Sequence, residues 1–271
     1  MPILDNTETR VDVDAIPRDV VTMGLKLVTR GYETGFHRHR KAQCVLAVSG
    51  VLTCEAEGGV WIVPARNAMW IPPDVDHRIS LAGTVEGYNA FVAPAAARHL
   101  PATCGSIVAT PLLRELLVRT AQYPLDLADG GMESRVAALL LDEVAIAERG
   151  RLYLPMPQDE RLRAIFCRIL EAPADRKSVA GWADLHAMGE RTFARLVVAE
   201  TGMSFGRWRQ QLSILLALRW MANGATVQRV ALDLGYESVG SFVAMFRKAL
   251  GTTPGRYVAA RRGRSTPGGE A

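Results

Sequence analysis

The sequence predicts an α+β chain of two domains: a small N-terminal β-barrel or sandwich with a helical connector, then an all-α domain built on two helix-turn-helix units. Three observations carry this expectation. Short apolar runs punctuated by glycine and proline fill residues 20–93, the spacing turns helical after about residue 105, and the second half contains an internal repeat. A chain of 271 residues exceeds one compact core, and 49% hydrophobic with 22% charged residues is the composition of an ordinary globular protein.

Taken in order, the N-terminus MPILDNTETRVDVD lacks the basic and apolar regions of a signal peptide, and the apolar stretch Val136–Ala147 is broken by Asp142 and Glu143. The expected location is therefore cytoplasmic, at the nucleoid, with no membrane partner. Cys44, Cys54, Cys104 and Cys167 show no C-x-x-C spacing and read as free thiols. The strand candidates are VVTMGLKLV, AQCVLAVSGVLTCEA, GVWIVPA, AMWIPP, HRISLA and GYNAFV, all within a first domain spanning residues 1–105.

Two helices, Pro111–Gln122 and Met132–Arg149, form the connector, residues 106–153. Leu112, Leu113, Leu116 and Leu117, with Val136, Leu139, Leu140 and Val144, give them apolar faces that serve either a homodimer or packing within one subunit. In LPMPQDE, residues 154–160, two prolines disfavour a continued helix, and Gln158 and Asp159 offer an N-cap for the next one. The all-α domain covers residues 154–260, and the polar, glycine-rich residues 261–271 are an expected disordered tail.

Charge divides unevenly along the chain. Residues 1–150 carry 14 Lys+Arg against 18 Asp+Glu, whereas residues 151–271 carry 18 against 10, so a net charge of +4 conceals halves of −4 and +8. A basic half suits contact with a polyanion, and equally a solvated face.

The repeat lies in that basic half. WADLHAMGERTFARLVVAETGMSFGRW aligns with VALDLGYESVGSFVAMFRKALGTTPGRY: Ala183 with Ala231 and Ala187 with Gly235, then Phe193 with Phe242, Gly202 with Gly251 and Trp208 with Tyr257. Each segment has a short helix, a small residue in a turn, and a second helix with its own apolar stripe. In the second, Gly235 marks the turn, Ser238 is the N-cap, and Phe242 and Phe246 share a buried face. A long apolar-rich helix from Trp208 to Ala222 joins the two.

The segment TVQRVALDLGYESVGSFVAMFRKALGTTPGRY resembles the C-terminal signature of AraC/XylS-type transcription regulators, with its G-Y-x-S turn, F-x-x-x-F-R-K helix and G-x-T-P-x-x-Y close. The likeness extends over about residues 159–260. It implies double-stranded DNA as partner, RNA polymerase as a further one, and two recognition helices in successive major-groove segments about 34 Å apart. Carried over by position, the first recognition helix presents Arg191, Thr192 and Arg195; the arginines share one face, and either can pair with guanine, while one of them pairing with Glu200 is the plainer alternative. The second presents Ser238, Val239, Gly240, Ser241 and Ala244, with Arg247 and Lys248 nearer the DNA backbone. Gly240 and Ala244 bear no hydrogen-bonding side chain, so this helix is expected to act by apolar contact, backbone positioning or shape readout. The chain departs from the family at Gly189, an N-cap without a side-chain acceptor, and at Ser213 and Leu216, where relatives often carry arginine.

In the β-rich half, Gly31, His37, His39, Gln43 and Gly50, followed by Pro72, Asp74 and His77, resemble the two cupin motifs over residues 22–93. Two histidines at i,i+2 on a strand point to the same side. The resemblance implies a cupin-like barrel in which His37, His39, Gln43 and His77 hold Fe²⁺, Ni²⁺, Mn²⁺ or Zn²⁺, or else line a metal-free pocket for an organic effector. Gln43 stands where metal-binding relatives have glutamate, and Asp74 where they have glycine. Tyr32 and Trp70, with Trp61, serve such a pocket as an aromatic wall or belong to the core; His99 and His186 read as structural or exposed. No Ser/His/Asp set, phosphate loop or carboxylate pair emerges, so no enzyme activity is expected. The expected function is a DNA-binding transcription regulator controlled by a small molecule, acting as a homodimer. The alternative is a metal-dependent cupin dioxygenase or isomerase with a helical appendage, which would have no need of a tandem repeat in a +8 half.

Overall fold

In the first half of the chain, strands with both faces buried curl about one core and carry two helices on their outside. The computed structural model describes residues 3–4, 11–49, 51–56, 58–65, 67–125, 130–150 and 153–262, with 3–4, 25–32, 64, 82–84 and 260–262 described by backbone alone. It divides into two compact units, Met1–Tyr153 and Leu154–Ala271.

The strands of the first unit are β1 (Ile3–Leu4), β2 (Val20–Glu33), β3 (Ala42–Ala47), β4 (Val51–Ala56), β5 (Gly59–Pro64), β6 (Asn67–Ile71), β7 (His77–Val92) and β8 (Gly105–Val108). β7 is long enough to pair with β4 through residues 77–82 and with β3 through residues 87–92, while β2 runs antiparallel along its other edge. β6 joins β3 to β8. Side chains alternate across these strands, so β3, β6 and β7 each contribute to two cores. Val45, Leu52, Cys54, Trp61, Val63, Met69, Ile71, Ile79, Leu81 and Val85 meet on the inside. Cys44, Leu46, Trp70, Ala90 and Val92 face the other way, against α1 (Pro111–Thr120) and α2 (Gly131–Ile146).

Those helices are therefore partly accounted for within the subunit: Leu113, Leu116, Leu117, Leu140 and Val144 are buried on the sheet. Thr110 caps α1 by accepting the Leu113 N–H, with Pro111 at the first helical position. Among the described residues Cys44, Cys54, Cys104 and Cys167 are free thiols; burial pushes the Cys44 thiol up to about 12 and raises that of Cys54 further. No described helix is long and apolar enough to cross a membrane.

The chain leaves the first unit through β9 (Tyr153–Pro155) and continues as α3 (Glu160–Glu171), α4 (Val179–Asp184), α5 (Glu190–Thr201), α6 (Phe205–Ala222), α7 (Val227–Asp233), α8 (Val239–Leu250) and α9 (Pro254–Arg262). The expected N-cap Asp159 accepts the backbone N–H of Arg161 and Leu162, and Ser178, Ser204, Thr226 and Ser238 cap α4, α6, α7 and α8. Gly189 makes no side-chain cap, as its sequence implies. Gly202 and Gly251 close α5 and α8 in the left-handed conformation, at matching places in the repeat. Residues 261 and 262 continue α9; the rest of the expected tail lies outside the described residues.

Each repeat builds its own aromatic cluster. Phe193 contacts Phe205, which with Trp208 packs on Phe166; Phe242 contacts Tyr236 and Phe246, and Phe246 meets Tyr257. The turns also match: Gly235 has φ +70°, and its counterpart Ala187 has φ +51°. A Cβ in that region is strained by about 1–2 kcal/mol. Ala187→Gly is thus expected to stabilise the second unit by about 0.5–1 kcal/mol, the relief exceeding the added freedom of the unfolded chain. A urea titration checks it; an unchanged or lowered midpoint contradicts it.

Candidate functional site

The histidines come together at the end of the barrel. His37 and His77 form a two-way backbone bridge, each N–H 2.9 Å from the other's carbonyl, and the Asp74 N–H donates to the His39 carbonyl at 3.1 Å. Asp74 has φ +59°, which explains why relatives favour glycine there; aspartate is among the residues that tolerate it. The ligand atoms of His37, His39 and His77 lie within 4.8 Å of one another.

The surrounding backbone orients the three rings. Nδ1 of His37 lies 2.9 Å from the Gly35 carbonyl, that of His77 lies 2.8 Å from the Val75 carbonyl, and that of His39 contacts the Lys41 carbonyl. The neutral rings of His37 and His77 then carry the proton on Nδ1 and a lone pair on Nε2. Nε2 of His77 is buried with no hydrogen-bond partner. Gln43 Nε2 donates to Asn89 Oδ1 at 3.0 Å, which turns Oε1 toward His39 Nε2 at 3.2 Å. An amide oxygen only accepts, so in the metal-free site His39 Nε2 donates to Gln43 Oε1; a cation would displace that proton and draw on the three converging histidines and the amide oxygen.

His77 is fully buried, and burial, followed by the fields of His37 and His39, pushes it down to about 4 from an ordinary 6.5. A folded value below the unfolded one means that the unfolded chain binds the extra proton between these limits. In metal-stripped protein His77 is expected to lower stability progressively as pH falls from 6.5 toward 4, by on the order of 3 kcal/mol, with no contribution above 6.5. Melting curves against His77→Gln check this, since the variant should lose that slope.

One expected site residue, Trp70, does not join the cluster. Trp70 is opposite Cys44 in the β3–β6 register, whereas Gln43 is opposite Ile71, so the indole takes the outer face. There it is buried against the helices and donates to the Pro101 carbonyl at 2.7 Å; Trp70 is core and not pocket wall. The Tyr32 side chain lies outside the described residues. Asn89 and Phe91, unremarked in the sequence, stand beside the site, Phe91 edge-on to His39 at 5.3 Å. Their signal is their place on β7 opposite Val45 and Gln43, visible only once the pairing is known.

A second element missed from the sequence is the segment before β2. Asp14 accepts the backbone N–H groups of Arg40 and Lys41, and the Lys41 ammonium donates to the carbonyls of Ile16 and Arg18. The segment thereby lies against the connection between β2 and β3 that carries His37 and His39, beside a cleft of about 290 Å³. His99 and His186 are exposed.

In the second unit α5 and α8 each bury one face and bare the other. Phe193 and Val197 are buried, while Arg191, Thr192 and Arg195 are exposed. Glu200 does not pair with either arginine; its carboxylate accepts the N–H of Gln158 at 2.8 Å and of Asp159 at 3.4 Å. Val198, 50% exposed, continues the same face at i+3 from Arg195 and is an apolar surface the sequence reading missed. On α8, Val239, Gly240, Ser241, Ala244, Arg247 and Lys248 are exposed opposite Phe242 and Phe246. The Ser238 oxygen is engaged by the Ser241 N–H at 3.1 Å and lies 2.9 Å from the Ser241 hydroxyl, so both serines are occupied at the helix start. Among the described residues, Arg191, Arg195, Arg247 and Lys248 have no acidic partner within ion-pair distance.

Comparison with known proteins finds two profiles whose border lies past the break between the compact units at residues 153 and 154. The profile of the AraC-like ligand binding domain matches residues 27–172, and that of a helix-turn-helix domain matches residues 182–260. The HTH-type transcriptional regulator NimR of Escherichia coli (strain K12) is 39% identical over 223 residues, covering 82% of this chain and 81% of that protein. The HTH-type transcriptional regulator RipA of Corynebacterium diphtheriae is 27% identical over 128 residues, 47% of this chain and 36% of that protein. Among solved structures, ToxT from Vibrio cholerae aligns over 89% of this chain and 98% of its own at 10% identity, with a TM-score of 0.38, a likeness too loose to argue from. With both profiles and a relative 39% identical over most of the chain in agreement, the chain belongs to the AraC family of transcription regulators, with an N-terminal ligand-binding domain and a C-terminal helix-turn-helix domain.

Proposed function

We propose that this regulator binds DNA sequence-specifically, mainly through α5, under the control of a small molecule received at the His37–His39–Gln43–His77 end of the barrel. The observation that carries the reading is the bare face of α5, where two exposed arginines one turn apart have no ion-pair partner among the described residues. Such a face is poised for bidentate pairing with guanine. The α8 face, lacking polar side chains at Gly240 and Ala244, contributes position and apolar contact, and Arg247 and Lys248 supply charge for the phosphates.

A divalent transition ion fits the barrel site. The buried, unpartnered Nε2 of His77 and the convergent Nε2 atoms of His37 and His39 would hold it, with Gln43 Oε1 as a neutral fourth ligand. When bound, the ion supplies a Lewis-acidic point for an oxygen or nitrogen donor of the effector. Asn89 holds the Gln43 amide, and the Gly35, Lys41 and Val75 carbonyls hold the rings.

A homodimer is supported by α2. Met132, Leu139 and Ile146 are 49%, 43% and 78% exposed and recur every seven residues, the spacing of a helix-to-helix seam. Leu139→Glu is expected to give a monomer in sedimentation and to weaken binding to a paired site by about tenfold or more, since two linked half-sites bind with avidity. A variant that stays dimeric contradicts this seam.

The reading as a whole is tested with full-length protein, separately loaded with Fe²⁺, Ni²⁺, Mn²⁺ or Zn²⁺, by fluorescence anisotropy on DNA from upstream of its own gene and on random DNA. A preference of about 10³ or more is expected. Equal binding to both, together with turnover of a small substrate, would reverse it in favour of a metal-dependent enzyme.

A further inference from the structure

The second helix-turn-helix unit is fastened to the first by a polar junction. Its turn, Leu234–Tyr236, rests on the loop of residues 173–177 that precedes α4. At Gly235 a Cβ would fall 2.6 Å from the Ala174 carbonyl oxygen, so the two segments meet backbone to backbone. Arg176 reaches across this contact: its Nη2 donates to the Leu234 carbonyl, and its guanidinium sits 4.5 Å from the centre of the Tyr236 ring. Arg209, on α6 between the units, donates through Nη2 to the carbonyls of Pro173 at 3.2 Å and Asp175 at 2.8 Å.

This junction is an expensive one. Two guanidiniums lie close together, and Nη1 of Arg209 is buried without an acceptor. Burial and then the charge of Arg176 push Arg209 down to about 10. Asp175 offsets part of the repulsion, but its carboxylate is shared with Lys177. A cleft of about 330 Å³ adjoins the pair, bordered also by Ser213 of α6 and Met245 of α8, so the junction is not tightly filled with apolar side chains. An arrangement with an orphaned donor and adjacent like charges persists where the surroundings gain from it. The gain here is directional. Apolar packing along α6 is non-directional and lets one unit roll on another, whereas bonds from a planar guanidinium to fixed carbonyls do not.

We propose that Arg176 and Arg209 are positioning residues that fix α8 relative to α5 and thereby set the spacing between the two DNA elements the domain accepts. The proposal rests on the DNA-binding reading above. One added base pair displaces the second element by about 3.4 Å and turns it by about 35°. A locked junction cannot follow that movement; a loosened one can.

The test uses full-length protein and its footprinted site, with one base pair inserted or removed between the two protected elements. The wild type is expected to lose about tenfold or more in affinity on either altered DNA. Arg209→Met, which keeps the apolar stem, and Arg176→Gln are each expected to lose less than about threefold on those same DNAs, while affinity for random DNA and its salt dependence stay unchanged because neither residue is assigned to phosphate. Arg209→Lys, able to reach one carbonyl, should fall between. A cooperative circular-dichroism melt verifies folding, and if Arg209→Met fails it, Arg176→Gln decides. Variants that weaken on native and altered DNA in equal proportion, or keep full discrimination, overturn the proposal. A wild type with no sequence preference overturns the underlying DNA-binding reading instead.

Discussion

Arg195→Ala is expected to lower affinity for the native DNA site by about 1–3 kcal/mol, roughly 5- to 150-fold, while leaving affinity for random DNA nearly unchanged. The side chain stands on the bare face of α5, one turn beyond Arg191, and no described carboxylate draws it back toward the protein. On the proposed reading its loss removes a base-edge donor and leaves the acceptors of a guanine unpaired. Arg247→Ala is the contrast. Arg247 lies in the last turn of α8, far from the end that Ser238 caps, where a cation meets phosphate and not a base. That variant should weaken native and random DNA alike and flatten the dependence of log affinity on log salt by about 0.9. Anisotropy titrations on both DNAs at several salt concentrations separate the two outcomes. Equal losses on both DNAs for both variants would sink this division of labour.

His77→Ala is expected to reduce affinity for a divalent transition ion by more than the roughly 10- to 100-fold that removal of an outer-shell partner costs. Its Nε2 is the buried member of the histidine cluster, has no other partner, and is aimed by a hydrogen bond from its own Nδ1 to the Val75 carbonyl. Because burial also keeps the ring neutral, the lone pair is available across the ordinary pH range. Trp70→Phe serves as the control: the indole lies in the outer core, so metal affinity should hold while stability falls. Competition against a chromophoric chelator measures both. A Trp70 variant that loses metal while His77→Ala retains it would move the site away from the inner face.

Much of this was legible before the fold was known. The strand runs, both connector helices, the caps at Asp159 and Ser238 and the αL closures at Gly202 and Gly251 follow from alternation, helical spacing and local hydrogen bonding. The pairing of Ala187 with Gly235 in the repeat anticipates two turns with positive φ, and only glycine adopts that conformation without strain. His37 and His39 do converge, though from the connection between β2 and β3 and not from the strand that their spacing predicts. What failed or went unseen depends on partners distant in the chain. Trp70 and Ile71 are adjacent and both apolar, and the register with β3 alone decides which one faces the histidines. Leu112 and Leu113 read alike, yet one is 47% exposed and the other buried.

The sequence by itself thus determined the local elements, their order, the repeat and the family, since each rests on interactions spanning a few residues or on a motif carried intact. Tertiary structure decided the rest: which face of each strand meets the histidines, that Asn89 orients Gln43, that Glu200 leaves Arg191 and Arg195 unpaired, and that Arg176 and Arg209 fasten the two reading units together. These contacts join residues between 34 and 58 positions apart in the chain. Periodicity reports which side of an element is apolar, but a directional bond to a distant carbonyl or amide exists only after the elements have packed.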